Sequence, residues 1–282
     1  MIRIVTDSMS DLTQEEAQAR DFRVLPLTVR FGNEEFLDRV ELSLDDFYTR
    51  LATVRELPKT SQVSPESFLQ AFEQELADGA HEVLCITGSS KLSGTYQSAV
   101  MARNMCSAPE RVFLFDSLGV SLSEALLVDW ALSHRQEYAA CSQLVEDLTA
   151  LRSRCQLVGK ADVLRNLVLG GRLSVLGGAV GTALHIKPLL RLTDGKLSQA
   201  GICRGNHRAL EWFAKQLEAQ PVDASMPMII AHAHAPEAAE TLRQHLTQNL
   251  TGLPEIRTIE LGTVVGTHGG PGIIGLAWIS QQ

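Results

Sequence analysis

The sequence predicts an α/β protein in which a mostly parallel N-terminal sheet with flanking helices is followed by a second α/β domain. Two observations support this prediction. Short apolar runs alternate along the chain with segments of helical periodicity, the order typical of parallel sheets covered by helices. Three of these runs end in small polar residues, at 6–8, 86–88 and 116–117. If the strands are parallel, the three polar ends open onto one crevice, the usual place for a ligand in such folds.

The first half of the chain has clear helix boundaries. Ser64 and Pro65 are a helix cap and a first-turn proline, so a helix is expected at 66–77, and Gly79 ends it. Strands are expected at 2–5, 23–31, 81–86 and 112–115, and further helices from residue 12 and at 47–55, 96–105, 118–137 and 142–154. Residues 58–63 are predicted to form a polar loop.

A second domain is predicted to begin near Cys155, which divides the chain into domains at 1–155 and 156–282. The pair Asp194-Gly195 favours a tight turn, so the runs 185–192 and 197–204 are expected to form a hairpin. Other strands are expected at 156–160, 227–233 and 255–261, and helices at 162–169, 175–183, 206–219 and 236–250. A glycine-rich stretch at 266–275 predicts a tight loop that presents His268.

Composition limits the class of protein. Of the 282 residues, 45% are hydrophobic and 21% are charged, as expected for a globular chain with a sizeable core. No apolar run approaches the ~18 residues of a membrane span, and a strand that begins at residue 2 leaves no room for a signal peptide. We therefore expect a cytoplasmic protein with no stable membrane insertion. The five cysteines form no C-x-x-C pair, so neither a disulfide framework nor a zinc site is expected.

The charge is unevenly distributed. The net charge of −8 argues against a nucleic-acid-binding protein, yet residues 151–208 hold ten Lys or Arg residues against two acidic residues. Such asymmetry predicts a basic face that meets an anionic ligand or an acidic partner. The alternative is an ordinary solvated surface whose charge the acidic remainder balances.

The most informative stretch runs from residue 86 to residue 99, where a strand passes through a loop of glycine and hydroxyl residues into a helix. At such a junction, hydroxyl groups and free backbone N–H groups meet at the helix N-terminus, which suits a carboxylate or a phosphate. The plainer alternative is a serine-rich turn that caps the helix. Ser93, Gly94 and Thr95 stand where the helix is expected to begin.

Several catalytic templates fail. The sequence around Ser93 is neither G-x-S-x-G nor S-x-x-K, no P-loop lysine is present, and no G-x-G-x-x-G follows the first strand. A Ser/His/Asp triad built from Ser93, His268 and Asp7 or Asp116 stays open, because the sequence does not say which of these side chains meet.

Two histidines, His232 and His234, alternate along a predicted strand and would therefore share a face. Such a pair is able to ligate a metal ion, but neither a third ligand nor a His-rich context accompanies it in the sequence. Ordinary strand histidines beside the following helix are the expected interpretation, and no metal site is predicted.

The remaining polar residues near these loops are neutral donors and one cation. The donors are Thr60, Ser61, Ser93, Thr95 and His268, and the cation is Arg172. Neutral hydroxyl groups in glycine-rich loops suit recognition of one carboxylate better than that of a triphosphate, which calls for Lys, Arg or a metal ion.

Seven short motifs cover nearly the whole chain. They are Ile4-Val5-Thr6-Asp7-Ser8, Thr60-Ser61-Gln62, Ser90-Lys91-Leu92-Ser93-Gly94-Thr95-Tyr96, Phe115-Asp116-Ser117, Gly170-Gly171-Arg172-Leu173-Ser174, Ile186-Lys187-Pro188-Leu189-Leu190 with Asp194-Gly195, and Gly266-Thr267-His268 with Gly270-Pro271-Gly272. Because these motifs occur together and in this order, the chain resembles the DegV family of bacterial fatty-acid-binding proteins, whose members include the binding subunits of fatty acid kinase.

The resemblance implies a two-domain DegV-like fold that holds one long-chain fatty acid between the domains, with no other cofactor. It implies that the carboxylate is bound by the polar residues Thr60, Ser61, Ser93, Gly94, Thr95 and His268, and that Arg172 lies near the head group and faces the partner. A fatty acid kinase then phosphorylates the bound fatty acid to an acyl phosphate with ATP that the kinase holds. The binding subunit itself is not an enzyme and contributes no catalytic residue.

Elementary energetics agree with a fatty acid. Burial of a ~16-carbon tail at ~0.8 kcal/mol per methylene gives roughly 12 kcal/mol before the cost of ordering the ligand. An unpaired carboxylate would oppose binding by several kcal/mol, so hydrogen-bond donors are needed at the head group. Two alternatives stay open: a serine esterase or acyltransferase that uses Ser93 and His268, and a carrier or regulator for another amphipathic carboxylate with no kinase partner.

Overall fold

A computed structural model of the protein describes residues 1–162, 164–174 and 186–281. Within these residues the strands are β1 (Ile2–Asp7), β2 (Arg23–Leu25), β3 (Thr28–Phe31), β4 (Glu34–Leu37), β5 (Lys59–Ser61), β6 (Glu82–Thr87), β7 (Val112–Asp116), β8 (Cys155–Lys160), β9 (Leu173–Ser174), β10 (Ile186–Thr193), β11 (Lys196–Arg204), β12 (Met228–His232), β13 (Ile256–Glu260) and β14 (Ile274–Ile279). The helices are α1 (Gln14–Arg20), α2 (Leu44–Thr53), α3 (Pro65–Ala77), α4 (Thr95–Met105), α5 (Leu122–His134), α6 (Cys141–Arg154), α7 (Arg165–Leu169), α8 (Asn206–Ala219), α9 (Pro236–Asn249) and α10 (Thr263–Gly269). The helix predicted at 175–183 lies outside the described residues.

The first sheet is parallel, with the strand order β2-β1-β6-β7. Side chains alternate between the two faces of a strand. Along β6, Val83 and Cys85 join one apolar cluster, while Leu84 and Ile86 join another. Both faces of β6 are therefore buried, which explains its continuous apolar sequence.

The polar ends of β1, β6 and β7 meet at one edge of this sheet. The N–H of Gly88 donates to Oδ2 of Asp7 over 3.0 Å, and the N–H of Ser90 donates to Oδ1 of Asp116 over 3.2 Å. The predicted α/β class and the convergence of the three strand ends are thus confirmed.

Helix α5 is the centre of the fold. It contacts β1 and β6 of the first sheet and β8, β12 and β14 of the second sheet. Its buried side chains surround the helix, the pattern of a helix enclosed by protein. One apolar cluster joins α5 to Leu84 on one side and to Ile229 and Ala277 on the other. Residues before and after the predicted domain boundary at 155 therefore share one core, and the division into domains stays a prediction.

The second sheet is mixed and has the order β13-β12-β14-β8-β10-β11-β9. Phe213 of α8 and Leu242 of α9 cluster with Trp278 of β14. The predicted hairpin is confirmed: β10 and β11 pair in antiparallel register around Asp194 and Gly195, whose φ angles are 49° and 77°.

Two predicted loops contain regular structure. Residues 58–63 were expected to be a loop, but β5 pairs with β3 in a third, antiparallel sheet of order β4-β3-β5, which places Thr60 opposite Val29. The loop predicted at 266–275 is wrong in its first part, because α10 continues to Gly269. Gly266 allows close packing of this helix, since a Cβ at that position would lie 2.6 Å from the hydroxyl oxygen of Tyr48.

Helix boundaries also differ from the prediction. Helix α5 begins at Leu122 instead of residue 118, because Leu118 and Ser121 have positive φ angles of 49° and 52° that interrupt a helix. Helix α7 begins at Arg165 instead of residue 162. Among the described residues, no helix is both long enough and apolar enough to cross a bilayer.

The central position of α5 predicts a large stability cost for a cavity there. Leu126 is fully buried, so Leu126→Ala should lower the free energy of unfolding by about 2–5 kcal/mol. Denaturant unfolding measures the change. Met101→Ala, at a side chain on α4 that is 49% exposed, is the control and should change the free energy by about 0.5 kcal/mol or less. Equal effects of the two substitutions would contradict the central role of α5.

Candidate functional site

A cavity of about 370 Å³ lies between the second sheet and the segments that follow β1, β6 and β7, within the ~300–1,000 Å³ range of small-molecule sites. Its walls are mostly apolar and include Leu122 of α5, Leu157 of β8, Leu190 of β10 and Ala231 of β12. Its polar lining consists of Thr60, Ser61, Gln62, Ser93, Gly94, Ser121, Arg172 and His268. The cavity is thus suited to an amphipathic molecule with one polar end.

Thr60 and His268 form a hydrogen-bonded pair. Thr60 lies on β5 and His268 in the last turn of α10, and Oγ1 of Thr60 is 2.9 Å from Nε2 of His268. The two residues are 208 positions apart in sequence. Sequence analysis placed both among the candidate neutral donors, and the structure brings them into contact.

The imidazole of His268 is neutral at pH 7. Burial, together with the nearby positive charge of Arg172, lowers the pKa of His268 from 6.5 to about 4. A neutral imidazole has one N–H donor and one acceptor nitrogen. Nδ1 is buried and has no hydrogen-bond partner among the described residues.

Ser93 lies where the loop after β6 enters α4. Its Oγ is 2.9 Å from Oγ1 of Thr95 and accepts a hydrogen bond from the N–H of Thr95. Thr95 is fully buried and supports Ser93, whereas Ser93 and Gly94 line the cavity. The N-cap of α4 is Gly94, which makes no side-chain cap hydrogen bond, so the interpretation of Ser93 as a cavity-lining residue is the better supported one.

Gln62 was missed by sequence reasoning as a lining residue, and it explains Gly94. A Cβ at Gly94 would lie 1.9 Å from Oε1 of Gln62. Nε2 of Gln62 donates to Oγ of Ser98 over 2.7 Å. The amide thus joins β5 to α4, and it fixes Thr60 and Ser93 relative to each other.

Arg172 connects the loop before α4 to the end of α7. Its Nε donates to the carbonyl of Leu92 over 3.1 Å, and its Nη1 donates to the carbonyl of Gly170. Gly170 packs directly on the imidazole, because a Cβ there would lie 2.3 Å from Nδ1 of His268. The sequence offered no signal for this contact beyond the glycine pair itself.

The Ser/His/Asp triad is not assembled among these side chains. Nε2 of His268 contacts Thr60, and Oγ of Ser93 contacts Thr95. The carboxylate of Asp7 accepts from the N–H groups of Met9 and Gly88, and that of Asp116 accepts from Ser90 and Leu118. Both carboxylates are thus engaged in holding loops, and among the described residues neither one hydrogen-bonds to His268.

The predicted pairing of His232 with His234 on one strand is wrong. Strand β12 ends at His232, whose Nδ1 accepts from the N–H of Ala235. His234 follows with a φ of 51° and stacks on Tyr48 at a ring distance of 5.3 Å. In the described part of the chain, no group of three or more His, Cys, Asp or Glu residues is arranged to hold a metal ion.

Part of the basic segment at 151–208 is neutralised within the fold. Lys160 and Lys187 each donate to Oδ1 of Asp162 over 2.8 Å, and Arg154 pairs with Asp223. Arg204 at the end of β11 and Arg208 near the start of α8 are exposed. The basic face is therefore smaller than the sequence suggests, and its role in partner binding stays a prediction.

The charge of Arg172 is expected to control the pKa of His268. Arg172→Ala should raise this pKa above about 4, yet leave it below 6.5 because burial remains. An NMR titration of the imidazole measures the midpoint, with His268→Gln to assign the signal. Arg165→Ala removes an exposed arginine from α7 and should leave the midpoint in place. An unchanged midpoint in Arg172→Ala would rule out this electrostatic coupling.

Comparisons with known proteins agree with this architecture. The family model of the DegV family, described as uncharacterised proteins, matches residues 1–281. A DegV domain-containing protein of Halalkalibacterium halodurans is 34% identical across 100% of this chain and 99% of its own length. A fatty-acid-binding DegV family protein from Thermus thermophilus is 32% identical, with 99% of both chains covered and a TM-score of 0.89.

A further solved structure shares the fold. It is the B3 protein of fatty acid kinase from Streptococcus pneumoniae, loaded with linoleic acid, which is 22% identical over the whole of both chains with a TM-score of 0.86. The family model and the relative at 34% identity each cover essentially the full chain. This protein therefore belongs to the DegV family.

Proposed function

We propose that the protein binds one long-chain fatty acid, with the tail in the apolar part of the cavity and the carboxylate at its polar end. The observation that supports this most strongly is that the contacting pair Thr60 and His268, together with Ser93, lines a cavity whose walls are mostly apolar. Membership of a family in which a relative at 32% identity binds fatty acid adds to it. The ligand then lies between the two predicted domains.

The head group requires donors, and the tautomer of His268 supplies one through Thr60. Because Nδ1 has no partner among the described residues, a proton there would be a buried donor without an acceptor, which is costly. The proton is therefore assigned to Nε2, which donates to Oγ1 of Thr60. The hydroxyl proton of Thr60 is then free to donate to the carboxylate.

Other parts of the polar end complete the head-group site. Ser93 offers a hydroxyl, and Ser61, Gly94 and Thr95 form or support the surrounding backbone. Arg172 places a positive charge nearby while its own donors hold Leu92 and Gly170. A neutral hydrogen-bonding pair beside a single guanidinium offsets the cost of burying one carboxylate.

The protein is further proposed to present its fatty acid to a fatty acid kinase, which forms the acyl phosphate with its own ATP. Support for this step comes from the family resemblance, since the fatty acid kinase protein from Streptococcus pneumoniae is similar in fold. Arg172 is half-buried and donates a hydrogen bond to the carbonyl of Leu92, the residue before Ser93. We assign it to the side of the protein that faces the partner. A cytoplasmic location, where ATP is available, belongs to the same proposal.

The purified protein tests the binding proposal directly. Native mass spectrometry or lipid extraction should find fatty acid at near one molecule per chain. A protein that contains no lipid and also does not bind added oleate or palmitate would contradict the proposal. Binding of a different amphipathic carboxylate in their place would support the carrier alternative, and turnover of a chromogenic ester abolished by Ser93→Ala would support an esterase.

Thr60 is expected to hold the carboxylate. Thr60→Val removes the hydroxyl while keeping the shape, so the affinity for oleate should fall by about 1–3 kcal/mol, the cost of a buried acceptor short of one donor. A fluorescent displacement assay measures this affinity. Thr149→Val is the matched control, because the Thr149 hydroxyl is exposed on α6 and donates to the carbonyl of Val145. Unchanged affinity in Thr60→Val would remove Thr60 from the site.

Arg172 is expected to matter more for the kinase reaction than for binding. Because the tail dominates affinity, Arg172→Ala should reduce the rate of acyl-phosphate formation by a larger factor than it reduces oleate affinity. A phosphorylation assay with a fatty acid kinase and the loaded protein gives the rate, and Arg165→Ala serves as control. Equal losses in rate and affinity would assign Arg172 a structural role instead.

A further inference from the structure

We propose that Asp11 and Asp38 are positioning residues for the head-group site: they fix the start of α10 and thereby place His268 on Thr60. This inference rests on the proposed function, and it adds two buried acids that lie outside the polar lining of the cavity.

Helix α10 has no side-chain cap of its own. The residue at its N-cap is Gly262, and the first N–H groups of a helix need acceptors from elsewhere. The N–H of Gly262 donates to Oδ1 of Asp11 over 2.7 Å. The N–H and the hydroxyl of Thr263 both donate to Oδ1 of Asp38, over 2.8 and 2.7 Å.

Both acids are held rigidly from the other side. Asp11 and Asp38 are 2% and 0% exposed. The second oxygen of Asp38 accepts from the hydroxyl of Ser8 over 2.7 Å, and the second oxygen of Asp11 accepts from the hydroxyl of Ser121. Each carboxylate therefore ties the start of α10 to the region after β1 or to the start of α5.

The contact leaves no room for adjustment at Gly262. A Cβ there would lie 2.8 Å from Oδ1 of Asp11 and 3.1 Å from Oδ1 of Asp38. The start of α10 thus has a glycine at its N-cap, and its first N–H groups donate to two acids more than 220 positions away in sequence. A local Ser, Thr or Asp cap would accept from these N–H groups at a lower desolvation cost. A role limited to capping does not require this arrangement.

The position of the helix start determines the position of His268. Helix α10 has seven residues, and five residues of helix span only ~7.5 Å, so a displacement at Thr263 is passed on to the imidazole. At the other end, Nδ2 of Asn166 donates to the carbonyl of Thr267 over 3.0 Å, and Gly170 confines the ring. The contact between Nε2 and Thr60 therefore depends on both ends of the helix.

A double-mutant cycle tests the proposal. Asp38→Ala removes the carboxylate that accepts from Thr263. Thr263→Val is milder, because it removes only the hydrogen bond from the Thr263 hydroxyl to Asp38. If Asp38→Ala does not fold, Thr263→Val alone tests the positioning role. Thr263→Val should lower oleate affinity about fivefold, the factor for one typical hydrogen bond. In a His268→Ala background, Thr263→Val should lower oleate affinity by less than about twofold, because positioning through His268 is no longer possible.

The controls separate positioning from general stability. Asp223→Ala also removes a carboxylate, one that pairs with Arg154 away from the cavity, and should leave oleate affinity unchanged. A loss of affinity in Thr263→Val that is equal in both backgrounds would overturn the proposal, and so would no loss at all.

A ligand-free measurement distinguishes failure of this inference from failure of the proposed function. In protein without lipid, Thr263→Val should shift the ¹⁵N resonance of Nε2 of His268 in the direction given by Thr60→Val, while Asp223→Ala should not. If the wild-type protein binds no oleate, the proposed function fails, and the resonance alone then decides the positioning role. An unshifted resonance contradicts it.

Discussion

The hydrogen bond between Thr60 and His268 is the contact on which the candidate site depends. It joins an edge strand of the smallest sheet to a helix near the end of the chain. Each partner is held in turn: β5 by its pairing with β3 and by Gln62, and α10 by contacts at both ends. Burial keeps His268 neutral, so the pair acts as a hydrogen-bonding unit and adds no buried charge beside Arg172.

The apolar helix α5 supplies the complementary constraint. Its burial between the first and second sheets creates one core, and the start of the helix lines the cavity. Leu122 at the start of α5 contributes to the apolar wall, while Thr60, Ser93 and His268 line the same cavity with polar groups. Tail burial and head-group hydrogen bonding therefore act on one ligand from opposite ends, as a fatty acid requires.

The class of fold and most elements were predictable, because alternation of strands and helices and the Asp194-Gly195 turn are local patterns. The regular structure of β5 and α10 was not predictable: β5 depends on a partner strand distant in sequence, and the glycines of α10 serve close packing instead of a loop. Sequence patterns and the family resemblance selected Thr60, Ser93, His268 and Arg172. The supporting contacts of Gln62, Gly170 and Asp38 arise only from tertiary packing, which a single sequence does not encode in any short pattern.

A crystal structure of the protein with bound oleate tests the central claim most directly. We expect elongated density in the cavity against the second sheet, with its carboxylate within about 3 Å of the hydroxyl groups of Thr60 and Ser93. Density with its head at the opposite end of the cavity, or on the protein surface, would contradict the account. A complex in which the carboxylate is bound but Thr60 and His268 are no longer in contact would also contradict the account.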